Sequence, residues 1–141
     1  MARRLSPSFS VSPQITADDI TAAAQAGFST IVCNRPDDEE PGQPSAAELG
    51  AHTRELGLSF VHIPVGPAGI SRDMLDALNT ALDEAHGEVL AYCRSGTRSA
   101  NLWALAQAAS GGDPAALVAA AGDAGYDLRG LIPTLRQLAG Q

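Results

Sequence analysis

Short apolar runs of strand length recur between segments of helix length, and this alternation constrains the chain more than any other feature. Residues 28–33 are apolar or β-branched at nearly every position, the pattern of a strand covered on both faces. Residues 9–12, 58–63 and 88–92 supply three more such runs, the first ended by Pro13. The segments between them carry helix punctuation. Thr16-Ala17-Asp18-Asp19 and Ser45-Ala46-Ala47-Glu48 read as capping boxes, and Gly27 and Gly57 as stops. Ser71 opens a third helix in which Met74, Leu78, Leu82 and Ala85 recur at helical spacing beside Leu75, so the methionine there is core filler. A fourth helix follows residue 96, with Leu102, Leu105, Ala106 and Ala109 on one face, and further helices are predicted over 113–122 and 126–139. Strands separated by helices require parallel crossovers. The predicted fold is therefore α/β, a three-layer sandwich around a mainly parallel sheet of four to five strands. Ligands are expected beyond the carboxyl ends of those strands.

Length and composition set the scale. With 141 residues, 45% of them hydrophobic, the chain can bury one sizeable core, and the expectation is a single domain over 1–141. Aromatic residues make up only 4%, so Ala, Leu, Val and Ile must build that core. The formal charge of -7 argues against nucleic-acid or anionic-membrane partners, which select basic surfaces. No run approaches the roughly 18 apolar residues of a membrane span, and the polar stretch after Met1-Ala2-Arg3-Arg4 does not read as a signal segment. A cytoplasmic location is expected, with Cys33 and Cys93 as free thiols.

Chemistry concentrates at one strand-to-helix junction, Cys93-Arg94-Ser95-Gly96-Thr97-Arg98-Ser99. Gly96 gives the turn the freedom it needs, and the loop amides with the free N–H groups of the next helix can converge on an anion. The same positive field favours an ionised thiol, making Cys93 the candidate nucleophile. Arg98 can set a planar fork against two oxygens of an anion, with Arg94 adding charge at the rim. Ser95, Thr97 and Ser99 offer hydroxyl donors, Ser99 toward the sulfur. An ordinary buried cysteine does not account for two arginines, a glycine and these hydroxyls in one turn.

Other groups are weaker candidates. Asn34 and Arg35 follow the strand at 28–33 and should open on the same edge as Cys93, where Arg35 either extends the anion site or pairs with the acidic run Asp37-Asp38-Glu39-Glu40. That run reads first as a solvated turn. Cys33 is a core cysteine or a resolving thiol. Arg72 and Asp73 flank the turn after Ile70. His52, His62 and His86 show no ligand spacing, so no metal and no cofactor are expected, and His62 reads as structural.

The 93–99 stretch resembles the active-site signature of the rhodanese sulfurtransferases and a shortened protein tyrosine phosphatase loop. Together with residues 30–37 and 60–65, it makes nearly the whole chain similar to the phosphatase-like domain of beta-lactamase-hydrolase-like proteins, a family also described as sulfur transferases. The resemblance implies a protein tyrosine phosphatase-like fold. Four residues separate Cys93 from Arg98, the rhodanese spacing, where phosphatases have five. Phosphatases also place a general-acid aspartate on the loop corresponding to 64–70, where this chain has no carboxylate; Asp37, Asp38 or Asp73 would have to substitute. Tyr92 stands where phosphatases commonly have histidine. The expectation from this resemblance is a sulfurtransferase that carries sulfane sulfur from thiosulfate or a persulfide, through a Cys93 persulfide, to an acceptor thiol, thiol protein or cyanide. The alternatives are a cysteine-dependent phosphatase acting on a phosphate ester through a Cys93 phosphocysteine, and a non-catalytic anion- or protein-binding module.

Overall fold

A computed structural model describes residues 2–141. Five strands form one sheet: β1 (Arg3–Ser6), β2 (Phe9–Ser12), β3 (Phe28–Cys33), β4 (Ser59–His62) and β5 (Glu88–Tyr92). Their spatial order is β1-β2-β5-β3-β4. Only the β1–β2 hairpin is antiparallel; β2–β5, β5–β3 and β3–β4 are parallel. Six helices cover the sheet: α1 (Ala17–Gln25), α2 (Ala46–Glu55), α3 (Arg72–Glu84), α4 (Thr97–Ala109), α5 (Pro114–Asp123) and α6 (Ile132–Leu138). This is the three-layer α/β arrangement that the alternation of segments predicts.

Strand periodicity divides the core in two. Along β5, Val89 and Ala91 belong to one buried cluster, Leu90 and Tyr92 to the other. Along β3, Val32 joins the first, and Ile31 and Cys33 the second. The smaller cluster lies under α1 and α2, with Ile20 and Ala23 from the first and Ala46 and Leu49 from the second. The larger is built on α4, whose Ala100, Leu102, Ala104, Ala106 and Ala108 are fully buried. Four alanines among these let α4 approach the sheet closely, and Trp103 stacks on Phe9 with ring centroids 6.1 Å apart. Because both faces are covered, β3 and β5 carry apolar residues without polar alternation. Among the described residues, no helix is long and apolar enough to cross a membrane.

The helix starts follow local chemistry. Thr16 and Asp19 complete a reciprocal capping box, with Asp19 N–H donating to Thr16 Oγ1 at 3.2 Å and Thr16 N–H to Asp19 Oδ2 at 2.9 Å. The second box is only half formed: Glu48 N–H donates to Ser45 Oγ, but the Glu48 carboxylate takes the Ser45 hydroxyl. Asp37 Oδ1 instead accepts from Ala46 N–H at 2.8 Å, so this acidic residue caps α2 from the preceding loop.

Two sequence expectations need correction. Arg3–Ser6 forms β1, an edge strand whose polar composition hides it; only Leu5 is buried. Met1 lies outside the described residues. The predicted helix over 126–139 is shorter, because a 3-10 turn at Arg129–Leu131 precedes α6. Pro133 explains the break. Its ring fits the first turn of α6 but opposes continuous α-helix upstream, where it would meet the carbonyl four residues back.

Since α4 fills the centre of the larger cluster, Leu102→Ala should cost about 2–5 kcal/mol. The shift in urea midpoint relative to wild type checks this, and a loss under about 1 kcal/mol would contradict the burial described.

Candidate functional site

Parallel pairing of β3 with β5 sets two loops side by side at the carboxyl edge. Asn34 N–H donates to Tyr92 O at 2.8 Å, Val65 N–H to Asn34 O at 2.9 Å, and Gln14 N–H to Arg94 O at 3.2 Å. The segments after β2, β3, β4 and β5 are thereby tied into one rim. Asn34, buried, also donates from Nδ2 to Ile63 O at 3.0 Å, joining two loops, while its Oδ1 has no partner within the protein.

The 93–98 loop folds around the sulfur. Cys93 is buried, and Gly96 N–H donates to its Sγ at 3.1 Å. Gly96 has φ 93°, the left-handed region, and caps α4 without a side chain. A Cβ at this position would also run into the Tyr126 hydroxyl, so glycine is required twice over. Tyr126, arriving from the far end of α5, donates to Ser95 O at 3.2 Å and holds the loop from outside. Burial pushes the Tyr126 hydroxyl up, so it stays a neutral donor. Ser95 Oγ and Thr97 Oγ1 hydrogen-bond each other at 3.1 Å, and Thr97 N–H donates to Ser95 Oγ at 3.4 Å. Ser99 is fully buried, and its hydroxyl has no partner within the protein.

The arginines are not free. Arg98 Nη1 donates to Glu39 Oε2 at 2.7 Å and Nη2 to Glu39 Oε1 at 2.9 Å, a two-point clasp across the rim. Nη1 also donates to Val65 O at 2.9 Å. Arg35, 3% exposed, donates from Nε to Glu39 Oε1 at 2.9 Å, from Nη2 to Glu40 Oε1 at 2.7 Å and from Nη1 to Gln14 Oε1 at 3.0 Å. Arg94 reaches Glu40 Oε1 at 3.1 Å. Three guanidinium groups thus share two carboxylates. Hydrogen bonds from Arg98 first, and from Arg35, hold the Glu39 carboxyl down at about 2.

The acidic run is an exposed turn, as expected, but its carboxylates are engaged: Asp38, with φ 63°, stands at the tip, Asp37 caps α2, and Glu39 and Glu40 reach the arginines. Arg35 pairs with the run and, through Glu39, is linked to Arg98. Neither Arg72, in an exposed pair with Asp76 at 3.5 Å, nor Asp73, exposed in the first turn of α3, makes a hydrogen bond or ion pair with the 93–98 loop. Cys33 lies in the smaller core cluster and donates to Arg35 O at 3.4 Å; burial pushes its thiol up, which disfavours the thiolate. His62 Nε2 meets the same Arg35 carbonyl at 3.1 Å, fixing the loop after β3.

Sequence reading missed Glu39, Glu40, Gln14 and Tyr126. The two glutamates stood in view within an acidic run, but only the strand order reveals that this loop faces the arginines.

Two consequences are measurable. Gly96→Ala should cut loop-dependent activity by at least about tenfold and lower thermal stability, because it strains φ and displaces Tyr126. Preserved activity would show that the loop tolerates a Cβ. Glu39 has a depressed folded pKa, so the stability it contributes is full above its ordinary value of 4.5 and is lost as pH falls toward about 2. The stability difference between wild type and Glu39→Gln should shrink over that window in acid titrations followed by urea unfolding.

Residues 2–110 match the family described as beta-lactamase hydrolase-like protein, phosphatase-like domain. A beta-lactamase hydrolase-like protein of Xylella fastidiosa (strain Temecula1) is 34% identical over 92% of this chain. The chain spans only 30% of that relative's length. A phosphatase candidate of known structure from Neisseria meningitidis is 34% identical, with a TM-score of 0.82 and 96% of each chain covered. A kinase-associated phosphatase carrying serine for its catalytic-site cysteine is 14% identical, with a TM-score of 0.71 over 99% of this chain and 94% of its own, a likeness of fold. These findings overturn the sulfurtransferase expectation: the matched family and structures are phosphatase-like, and none of those named is a sulfurtransferase. That expectation rested on the four-residue spacing between Cys93 and Arg98 and on the carboxylate-free loop at 64–70, and the family match outweighs both. The sheet order, the helix-covered faces and the cysteine loop at the carboxyl edge form a protein tyrosine phosphatase-like fold, and the chain belongs to the phosphatase-like domain family of the beta-lactamase hydrolase-like proteins.

Proposed function

We propose that the chain is a cysteine-dependent phosphatase acting on small phosphate monoesters. One observation carries this reading: Cys93 Sγ lies inside a loop that donates an N–H to it, beside an Arg98 fork whose two arms hold the two oxygens of a carboxylate. A group built to grip two oxygens of one anion next to a buried sulfur suits a phosphoryl group. In the proposed reaction, Cys93 attacks as thiolate. The S–P bond forms, the ester P–O bond breaks, and the electron pair leaves with the alcohol oxygen. Water then attacks phosphorus, the S–P bond breaks, and orthophosphate and the thiolate are released. Arg98 and the loop amides stabilise charge on the transferring oxygens, and the Ser99 hydroxyl is free to donate to the sulfur as it departs.

The leaving-group side restricts the substrate. A groove of about 380 Å³ beside Arg98 is lined by Val65, Gly66, Ile70, Leu105 and Leu131, with Asn101 and Thr134 as its uncharged polar groups. It contains no carboxylate, so no acid there can protonate a departing alkoxide. Esters whose alcohol leaves readily as an anion, aryl phosphates above all, fit this chemistry.

An aryl phosphate assay tests the reading. Wild type should turn the ester over, Cys93→Ser should lose roughly 10³-fold or more, and Arg98→Ala roughly 10²-fold or more. Alkyl phosphates should react far more slowly than aryl ones. Aryl phosphate turnover that survives Cys93→Ser would overturn the proposal, as would thiosulfate turnover without any ester hydrolysis.

A further inference from the structure

We propose that Tyr126 is a positioning residue for the cysteine loop: its hydroxyl holds the Ser95 carbonyl outward and so presents Gly96 N–H to the Cys93 sulfur and to an oxyanion over it. The ligand class rests on the phosphatase reading; the positioning follows from the loop itself. Tyr126 donates to Ser95 O at 3.2 Å, and Gly96 N–H donates to Cys93 Sγ at 3.1 Å. That carbonyl and that N–H belong to one peptide unit. A trans peptide is planar and points its C=O and N–H in opposite directions. A donor that fixes the carbonyl outside the loop therefore fixes the N–H inside it.

The carbonyls of Arg94, Ser95 and Gly96 are all held from outside. Gln14 N–H donates to Arg94 O at 3.2 Å, Tyr126 to Ser95 O, and Ala100 N–H to Gly96 O at 2.9 Å. The anchors on Arg94 and Gly96 are main chain, fixed by the rim and by the first turn of α4. The anchor on Ser95 is a side chain, and it acts on the peptide with the most freedom to turn over.

Gly96, at φ 93° and ψ -14°, has the backbone of the third residue in a type II turn. Turning the central peptide over converts such a turn to type I, whose third residue lies at a φ of about -90°, a region glycine enters as readily. The reversed peptide would carry its N–H away from the sulfur and aim the Ser95 carbonyl oxygen at the seat, where it repels an anion. The Tyr126 hydroxyl opposes that reversal by stabilising the outward carbonyl. Tyr126 is itself well anchored. Its ring packs against the larger core cluster, its N–H donates to Ala121 O at 2.8 Å, and Arg3 Nη1 holds the adjoining turn through Ala124 O at 3.0 Å. It lies beyond residues 2–110, the stretch that matches the family, so this support comes from the C-terminal segment.

The test is Tyr126→Phe in the 141-residue chain, which keeps the ring and removes the hydroxyl. It is read by calorimetric binding of inorganic phosphate, and by amide hydrogen exchange followed by NMR without ligand. Phosphate affinity should fall about three- to tenfold, the range of one neutral hydrogen bond. Exchange at Gly96 should quicken, while exchange at Ala104, inside α4, stays at the wild-type rate. Unchanged phosphate affinity, or unchanged exchange at Gly96, would overturn the proposal. Equal acceleration at Gly96 and Ala104 would also overturn it, since Tyr126 would then support the fold alone. Ester turnover plays no part in either readout. A wild-type chain that binds no phosphate would sink the phosphatase reading, and exchange at Gly96 against Ala104 would then decide this one by itself.

Discussion

Parallel pairing of β3 with β5 is the constraint from which the site follows. Both strands are buried on two faces, so their register is held by packing from both helical layers at once. A slip by one residue would exchange the side chains belonging to the two clusters and empty both. With the register fixed, Cys33 stands opposite Tyr92, and the two loops that follow must leave the sheet together. The bond from Asn34 N–H to Tyr92 O extends the pairing one step past the strands. Cys93 and the segment 34–45 are neighbours for that reason, although nearly sixty positions separate them in the chain.

Electrostatics then organises what the backbone has brought together. The chain as a whole is acidic, at -7, yet Arg35, Arg94 and Arg98 gather at one edge. Arg35 is buried, and burial of an unpaired guanidinium is costly, so compensating carboxylates are needed wherever the site is unliganded. Glu39 and Glu40 provide them from the loop that the β3–β5 pairing places alongside. The acidic run thus neutralises the arginines gathered at this edge. Its depressed Glu39 pKa and the occupied Arg98 fork are two expressions of one ion-pair network.

Much of this fold is legible in the residues, and the misses share one cause. β2 to β5 and the first four helices follow from apolar runs, capping residues and glycine stops, all local signals. β1 escapes because an edge strand needs little buried surface: Arg3-Arg4-Leu5-Ser6 offers one apolar side chain. The cysteine loop is legible as well, since its glycine, arginines and hydroxyls crowd into seven positions. What could not be read was contact across the rim. Glu39 meets Arg98 across 59 positions and Tyr126 meets Ser95 across 31, and neither distance leaves a periodic trace. Strand order was the missing information. With it, an acidic run in the loop after β3 points directly at the arginines after β5.

The same reasoning shows why counting residues between Cys93 and Arg98 misleads about chemistry. The count describes how tightly the backbone wraps the sulfur, and here Gly96 N–H closes on Sγ at 3.1 Å. It does not describe where the fork points. That is set by α4, which packs into the larger core cluster, and by Val65 O, which receives Arg98 Nη1 at 2.9 Å. The loop after β4 is carboxylate-free, and in the folded chain it contributes a carbonyl that holds Arg98 at the rim. An aimed guanidinium next to a buried sulfur is the arrangement on which the proposed phosphatase reading rests, whichever spacing precedes it. Glu39 is gripped there by both arms of the fork.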